Sequence, residues 1–202
     1  MIEPTFEPLD TEFLLMAYSS GFFPMAESRT GPIAWYSPDP RAIVPLESFT
    51  VSRSLRQTIK REVFEIRLDT VFGDVIRACA ERTDTWISDE IVAEYTQLHH
   101  KGHAHSVESW RNGKLVGGLY GVAINGAFFG ESMFTRETDA SKVALVHLVQ
   151  RLRERNFLLL DTQLINPHMG SLGACEVPRV EYLALLQRAL ACRTSFTDPV
   201  HT

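Results

Sequence analysis

Two Asn-Gly pairs, Asn112-Gly113 and Asn125-Gly126, each stand between runs rich in apolar and aromatic residues. An Asn-Gly pair readily takes positive φ at both positions and is the strongest short-range hairpin signal. The stretch therefore reads as a three-stranded antiparallel meander: "HAHSVESW", then "LVGGLYGVAI", then "AFFGESMF". This constrains the fold more than any other feature, because it commits the centre of the chain to one sheet on which the flanking elements must pack. The third strand carries a carboxylate, Glu131, between "AFFG" and "SMF". On an edge strand Glu131 would face water. Inside the fold it must be partnered or functional, because burying a lone carboxylate costs several kcal/mol or shifts its pKa.

The flanks supply the packing elements. "DASKVALVHLVQRLRERN" after the meander is a helix with an apolar stripe at Ala144, Leu145, Leu148 and Leu152. "FLLLDTQL" reads as another strand, and "PRVEYLALLQRALA" as a final helix with Pro178 in its first turn. Before the meander, "TEFLLMAYSSG", "SRSLRQTIKR", "VFGDVIRACAER" and "SDEIVAEYTQLHHKG" read as helices and "FEIRLD" as a strand. "FFPMAESRTGPIAWYSPDPRAIVPLE" holds five prolines and is expected to be irregular but packed. The class is α+β. From about His103 to Cys192 the order of elements resembles the N-acetyltransferase-like fold, which places an acyl donor beside splayed strands. The expected division is a small N-terminal α/β domain over 1–60 and a catalytic domain over 61–202.

Composition narrows the function classes. At 202 residues, with 45% hydrophobic and 22% charged, the chain is an ordinary globular protein able to bury a sizeable core. Apolar runs such as "FLLL" fall far short of the roughly 20 residues that span a bilayer. The start "MIEPTFEPLD" has no basic and apolar leader pattern, and three cysteines without metal-like spacing suit a reducing compartment. A cytoplasmic protein with no membrane partner is expected. The net charge of −5 argues against broad nucleic-acid binding. One patch is different: Arg53, Arg56, Lys60 and Arg61 gather near one face of the helix "SRSLRQTIKR". They would either be solvated or meet phosphate.

Standard chemical motifs are weak. "HHKGHAH" offers His99, His100, His103 and His105, but Gly102 breaks the helix between His99 and His103, and no acidic or cysteine ligand has zinc spacing. No metal is expected. "GGLYG" lies inside a strand, where its glycines allow close backbone approach rather than cradle a phosphate. "LLLDTQLIN" carries more information. Asp161 and Gln163 are two apart in a strand and share a face, so they suggest a polar pocket floor, unless the strand is merely fraying at its end. With Glu131, Phe128, Phe129, Met133 and Leu119 close by, the expectation is an apolar cleft holding a few polar groups.

Taken together, "AYSSGFFPM", "WYSPDPRAIVPLE", "TWIS", "GHAHSVESW", "LVGGLYGVAINGAFFGESMF", "ASKVALVHLV", "LLDTQLINPHMGSLGACEVPR" and "YLALL" resemble the leucyl/phenylalanyl-tRNA–protein transferase family from about Leu14 to Leu186. The resemblance implies a bacterial aminoacyltransferase of the N-end rule pathway, without a cofactor and acting as a monomer. It would move Leu or Phe, less well Met, from aminoacyl-tRNA to proteins beginning with Arg or Lys. It also implies Glu131, Asp161 and Gln163 as the polar site residues, and Leu119, Phe128, Leu145, Leu148 and Leu160 as the pocket for the transferred side chain. Tyr18, Met25, Trp86 and Tyr95 would hold the terminal adenosine. Some family members have Trp where this chain has Met25, and many have a longer N-terminal extension. Chemically, Gln163 cannot titrate. Its oxygen would accept from the attacking amine while Asp161 orients it through the side-chain amide N–H. Glu131 would hold the donor's amino group or its 2′-hydroxyl. Two rivals are an acetyl-CoA-dependent N-acyltransferase, for which "FTRETDASK" offers no pyrophosphate loop, and a non-enzymatic tRNA-binding module, which leaves the three polar residues without a purpose.

Overall fold

A computed structural model of the chain describes residues 9–82 and 85–198. Asp10 caps α1 (Thr11–Ser19), its carboxylate accepting from Phe13 N–H at 2.8 Å. The proline-rich segment is more regular than its composition suggests. It forms an antiparallel hairpin of β1 (Phe23–Ala26) and β2 (Ile33–Tyr36), followed by β3 (Arg41–Ile43). Prolines are tolerated there because Pro24 sits in a two-stranded ladder and the other four lie outside the strands. Next come α2 (Arg53–Lys60), β4 (Glu65–Leu68), α3 (Phe72–Ala80) and α4 (Asp89–His100). Ser52 and Ser88 cap α2 and α4 through Leu55 N–H and Ile91 N–H.

The meander is β5 (Ala104–Arg111), β6 (Lys114–Ile124) and β7 (Ala127–Thr135). Asn112 and Asn125 have φ of 50° and 52° at its two turns, as an Asn-Gly hairpin requires. After it come α5 (Ala140–Glu154), β8 (Leu159–Gln163), α6 (Pro167–Ser171), β9 (Cys175–Val177) and α7 (Arg179–Ala191). Seven strands form one mixed sheet in the order β4-β5-β6-β7-β8-β3-β9, antiparallel except for β7 and β8. β3 belongs to the stretch assigned to a small N-terminal domain, and it is hydrogen-bonded between β8 and β9. α2, from the same stretch, packs on α5 through Leu55, Val143 and Val146.

Two irregularities create the site. First, β7 and β8 pair only at Ala127↔Leu159, Phe128↔Leu160 and Phe129↔Asp161, then part. This opening beside an antiparallel meander is the N-acetyltransferase-like arrangement. Second, the β6–β7 register slips: Tyr120 faces Ser132 and Gly121 faces Gly130, so Glu131 is the extra residue of a β-bulge. A bulge re-aims a side chain and bends its strand. Gly121 is required there, since a Cβ on it would lie 2.3 Å from the Phe129 carbonyl oxygen. Gly117 likewise lets β6 approach the start of α5, where an added Cβ would lie 2.5 Å from that of Ala140. The core divides by strand alternation. Leu119 and Phe128 join Leu145, Leu148 and Leu160 on the α5 side, while Tyr120 and Phe129 join Tyr18 and Tyr95 on the other.

Candidate active site

Where β7 and β8 separate, a cleft of about 690 Å³ opens. Leu119, Leu145, Leu148 and Leu160 form an apolar wall, and Trp86, Glu131 and Gln163 also line the cleft. Four of the five residues expected in the side-chain pocket are therefore at its surface. Phe128 lies beneath that surface instead, fully buried, with its ring centroid 5.4 Å from that of Phe196. The β7 pleat directs Phe128 into the layer under α5. Met25 and Trp86 are half-buried in neighbouring segments, linked by Ala26 N–H donating to the Trp86 carbonyl at 3.3 Å.

Glu131 is half-buried at the gap and answers to three residues distant in sequence. Tyr18 Oη donates to its Oε1 at 2.7 Å and Gln163 Nε2 donates to the same oxygen at 3.0 Å. The Tyr18 and Tyr95 hydroxyls touch each other behind it. Both tyrosines, which the resemblance implies hold the adenosine, are 0% exposed, and α1 and α4 deliver their hydroxyls to the rear of Glu131. Burial pushes the Glu131 carboxyl up to about 8, against the lowering effect of the Tyr18 hydrogen bond; the Asp161 charge raises it further and Arg41 lowers it. Burial also raises Tyr18 and Tyr95 well above the ordinary phenol value, so both stay protonated donors.

This sets a pH dependence of stability. The folded pKa of about 8 lies above the ordinary 4.5. The corresponding stabilisation is therefore complete below pH 4.5 and is lost as pH rises through 8. Glu131→Gln removes the titration. Its melting temperature should gain on wild type by about 5 °C or more between pH 5 and pH 9. A difference that stays constant over that range would mean that burial leaves Glu131 near its ordinary pKa.

Asp161 is not at the cleft surface. It is 0% exposed and held by a residue that sequence reasoning passed over, Arg41 of β3, itself 0% exposed. Arg41 Nε and Nη2 donate to the two carboxylate oxygens at 3.0 and 2.7 Å. Tyr182 Oη of α7 adds a third donor at 2.8 Å. Arg41 Nη1 also donates to the Gly21 carbonyl at 3.0 Å, and its guanidinium lies over the rings of Phe23 and Tyr182 at 4.7 and 4.5 Å. Such a bidentate pair is the strong form of ionic hydrogen bond.

The link from Asp161 to Gln163 also differs from expectation. Asp161 Oδ1 accepts from the Gln163 backbone N–H at 2.8 Å, not from its side chain. Gln163 has φ of 60°, and Leu164 N–H donates to the Thr162 carbonyl at 2.8 Å, closing a tight three-residue turn around it. That backbone is strained for a residue with a side chain and persists only where its surroundings hold it. Asp161 supplies that hold. The turn aims the Gln163 amide at Glu131, and because its NH₂ donates to the Glu131 carboxyl oxygen Oε1, its carbonyl oxygen is the end left for a substrate.

The remaining candidates lie elsewhere. His99 Nδ1 is 2.8 Å from the Ala104 carbonyl oxygen, and His105 Nδ1 is 2.7 Å from Asp69 Oδ2. Arg53, Arg56, Lys60 and Arg61 are all exposed, with Leu55 turned inward on the opposite side of α2. Among the described residues no helix is long and apolar enough to cross a membrane.

Among the described residues the sheet parts at its one parallel pair, with an apolar lobe and a polar pair at the gap, which is an N-acetyltransferase-like fold with a cleft able to hold an acyl group. The chain belongs to the leucyl/phenylalanyl-tRNA–protein transferase family and is an aminoacyltransferase. The family model described as "Leucyl/phenylalanyl-tRNA protein transferase" matches residues 43–187, and the model of that family's N-terminal domain matches 7–39. A leucyl/phenylalanyl-tRNA–protein transferase of Herpetosiphon aurantiacus is 56% identical over 189 residues, covering 93% of this chain and 98% of the relative. One from Gloeobacter violaceus is 55% identical over 188 residues, covering 93% and 97%. Among solved structures, a ribosomal-protein-alanine N-acetyltransferase from Brucella melitensis biovar Abortus 2308 superposes with a TM-score of 0.35 at 17% identity, over 48% of this chain and 76% of the other. L-PGS from Bacillus licheniformis gives 0.42 at 16% identity, over 78% and 52%.

Proposed function

We propose that the cleft takes a leucyl or phenylalanyl group, and less readily a methionyl group, from aminoacyl-tRNA and passes it to the α-amino group of a protein beginning with Arg or Lys. The product would be marked for N-end rule degradation. The reaction belongs in the cytoplasm, where charged tRNA is found, and needs only a monomer. The observation that carries this reading is the placement of the leucine-lined lobe directly against the Glu131–Gln163 pair.

The donor is an ester and the product an amide, so transfer is downhill without ATP. An α-amine titrates at about 7.7–8.0, so a useful fraction is neutral near pH 7 and no strong base is needed. The amine would donate to the Gln163 side-chain oxygen and attack the ester carbon. Glu131 fixes the amide from its other end, and Asp161 fixes the turn that carries it. Positioning of this kind is worth several kcal/mol when the reacting atoms are held in near-attack geometry. The leucine lobe selects by size and apolarity. One methylene changes binding there by only about 1–3 kcal/mol, so overlap among Leu, Phe and Met is expected. No cofactor enters this scheme.

The test is direct: radiolabelled Phe-tRNA is incubated with the protein and an acceptor bearing N-terminal Arg, and label in the acceptor is measured. Transfer to Arg and Lys acceptors, but not to one beginning with Gly, is expected. Absence of transfer would overturn the reading.

The basic face of α2 would contact the donor's phosphates. Each phosphate contact releases about one counterion, so neutralising two of Arg53, Arg56, Lys60 and Arg61 should flatten the slope of log affinity against log salt by roughly 1–2 units. All aminoacyl-tRNAs should weaken alike. A minimal aminoacyl-adenosine donor should be unaffected. An unchanged slope with full tRNA would make α2 a solvated helix face.

A further inference from the structure

Among the described residues, two buried side-chain polar atoms have no hydrogen-bond partner, the hydroxyls of Tyr120 and Thr162. Both residues line the cleft. Packing defects would have no reason to gather at one place, whereas unfilled partners would gather where a ligand binds. Tyr120 carries the stronger argument, because it is 0% exposed while Thr162 is half-buried.

Tyr120 lies on β6 opposite Ser132, at the step where the bulge throws Glu131 out of register. Edge-on contacts with Phe72 and Tyr95, with ring centroids 5.8 and 5.9 Å apart, fix its ring. Three tyrosines thus surround Glu131, and they are not equivalent. The hydroxyls of Tyr18 and Tyr95 are hydrogen-bonded to each other, and Tyr18 also to Glu131. The Tyr120 hydroxyl bonds to neither. A buried hydroxyl without a partner is destabilising, and phenylalanine would fill the same volume without that cost. The Tyr120 oxygen therefore has no evident use in folding.

We propose that Tyr120 Oη is a catalytic hydrogen-bond donor to the carbonyl oxygen of the donor's aminoacyl ester. This deepens the transfer reaction proposed above and rests on it. When the amine nitrogen bonds to the ester carbon, the carbonyl π pair moves onto oxygen, and the Tyr120 O–H bond points at that negative charge. On collapse the C=O bond reforms and the bond to the tRNA 3′ oxygen breaks. The proton lost from nitrogen ends on the 3′ oxygen, and the phenol keeps its own. Burial supports this division of labour, since it raises the Tyr120 pKa well above 10 and leaves a neutral, permanent donor. A donor fixed before charge develops is worth most in the transition state.

The test is Tyr120→Phe, assayed with saturating and limiting Phe-tRNA and melted beside wild type. Loss of such a donor should lower kcat by about 10²-fold. KM for Phe-tRNA should stay within about twofold, and the melting temperature should be equal to or above that of wild type. An unchanged kcat, a loss confined to KM, or a clearly lower melting temperature would each overturn the assignment, the last by showing that the hydroxyl serves the fold. Wild type in the same assay separates this from the underlying reading. Transfer by wild type with an undiminished kcat in Tyr120→Phe removes only the role of Tyr120, whereas no transfer by wild type removes both.

Discussion

Asp161→Ala should lower the melting temperature by about 10 °C. Breaking a buried ion pair from one side costs about 3–5 kcal/mol, and each kcal/mol is worth about 2–4 °C in a protein of this size. The reason is specific to this site. Arg41 is fully enclosed, and without the carboxylate its Nε and Nη2 lose their charged acceptor while Tyr182 Oη loses its 2.8 Å partner. The Gln163 N–H loses its acceptor too, so the strained turn is released. The double variant Arg41→Met/Asp161→Leu should recover much of the stability, because a well-packed apolar pair often replaces a buried ionic one at little cost. It should not recover transfer, because the strained Gln163 turn then has no acceptor for its backbone N–H. Recovery of both would make the Arg41–Asp161 pair a device of the fold alone. A single Asp161→Ala variant that melts like wild type would contradict the pairing itself.

Gln163→Ala should act in the opposite way, lowering kcat by about 10²-fold or more while moving the melting temperature by only a few degrees. Its side chain makes one hydrogen bond, to Glu131 Oε1, at the edge of the cleft. Removing it leaves no buried charge without a partner beyond those already present. KM for the donor should change little, since the leucine wall and the residues around Trp86 are untouched. Steady-state transfer at several donor concentrations separates the two constants. A rise in KM at constant kcat would reassign Gln163 to donor binding.

The parts of this site legible in sequence were those fixed by local rules. The Asn-Gly turns set the meander, and strand alternation singled out Asp161 and Gln163, of which only Gln163 lines the cleft while Asp161 is turned to Arg41 and Tyr182. The resemblance named four of the leucines that line the cleft, Leu119, Leu145, Leu148 and Leu160. Glu131 was conspicuous as a charge among apolar neighbours, yet nothing in "FFGESMF" announces the bulge that turns it into the gap. Local rules stopped where partners come from far along the chain. Arg41 follows a cis Asp39-Pro40 peptide in a segment that reads as a loop, and its partner Asp161 lies 120 residues on. The only available signal was an arginine beside the apolar run "AIV", too common a pattern to single it out. Tyr18 and Tyr95 were implicated by resemblance, but their direction, toward Glu131 from behind, depends on how α1 and α4 pack. Phe128 and Phe129 are adjacent and equally apolar, and only the register shows which of them underlies the leucine wall.

The most direct test of the account is a crystal structure with a 3′-amide analogue of phenylalanyl-adenosine, which keeps the aminoacyl geometry and cannot be transferred. The phenyl ring should lie in the lobe of Leu119, Leu145, Leu148 and Leu160, with the acyl carbon at the β7–β8 opening. There it should be reachable by a nucleophile at about 3–3.5 Å that also meets the Gln163 side-chain oxygen. An analogue bound with its aminoacyl group outside this lobe, or with Gln163 and Glu131 turned away from it, would contradict the account.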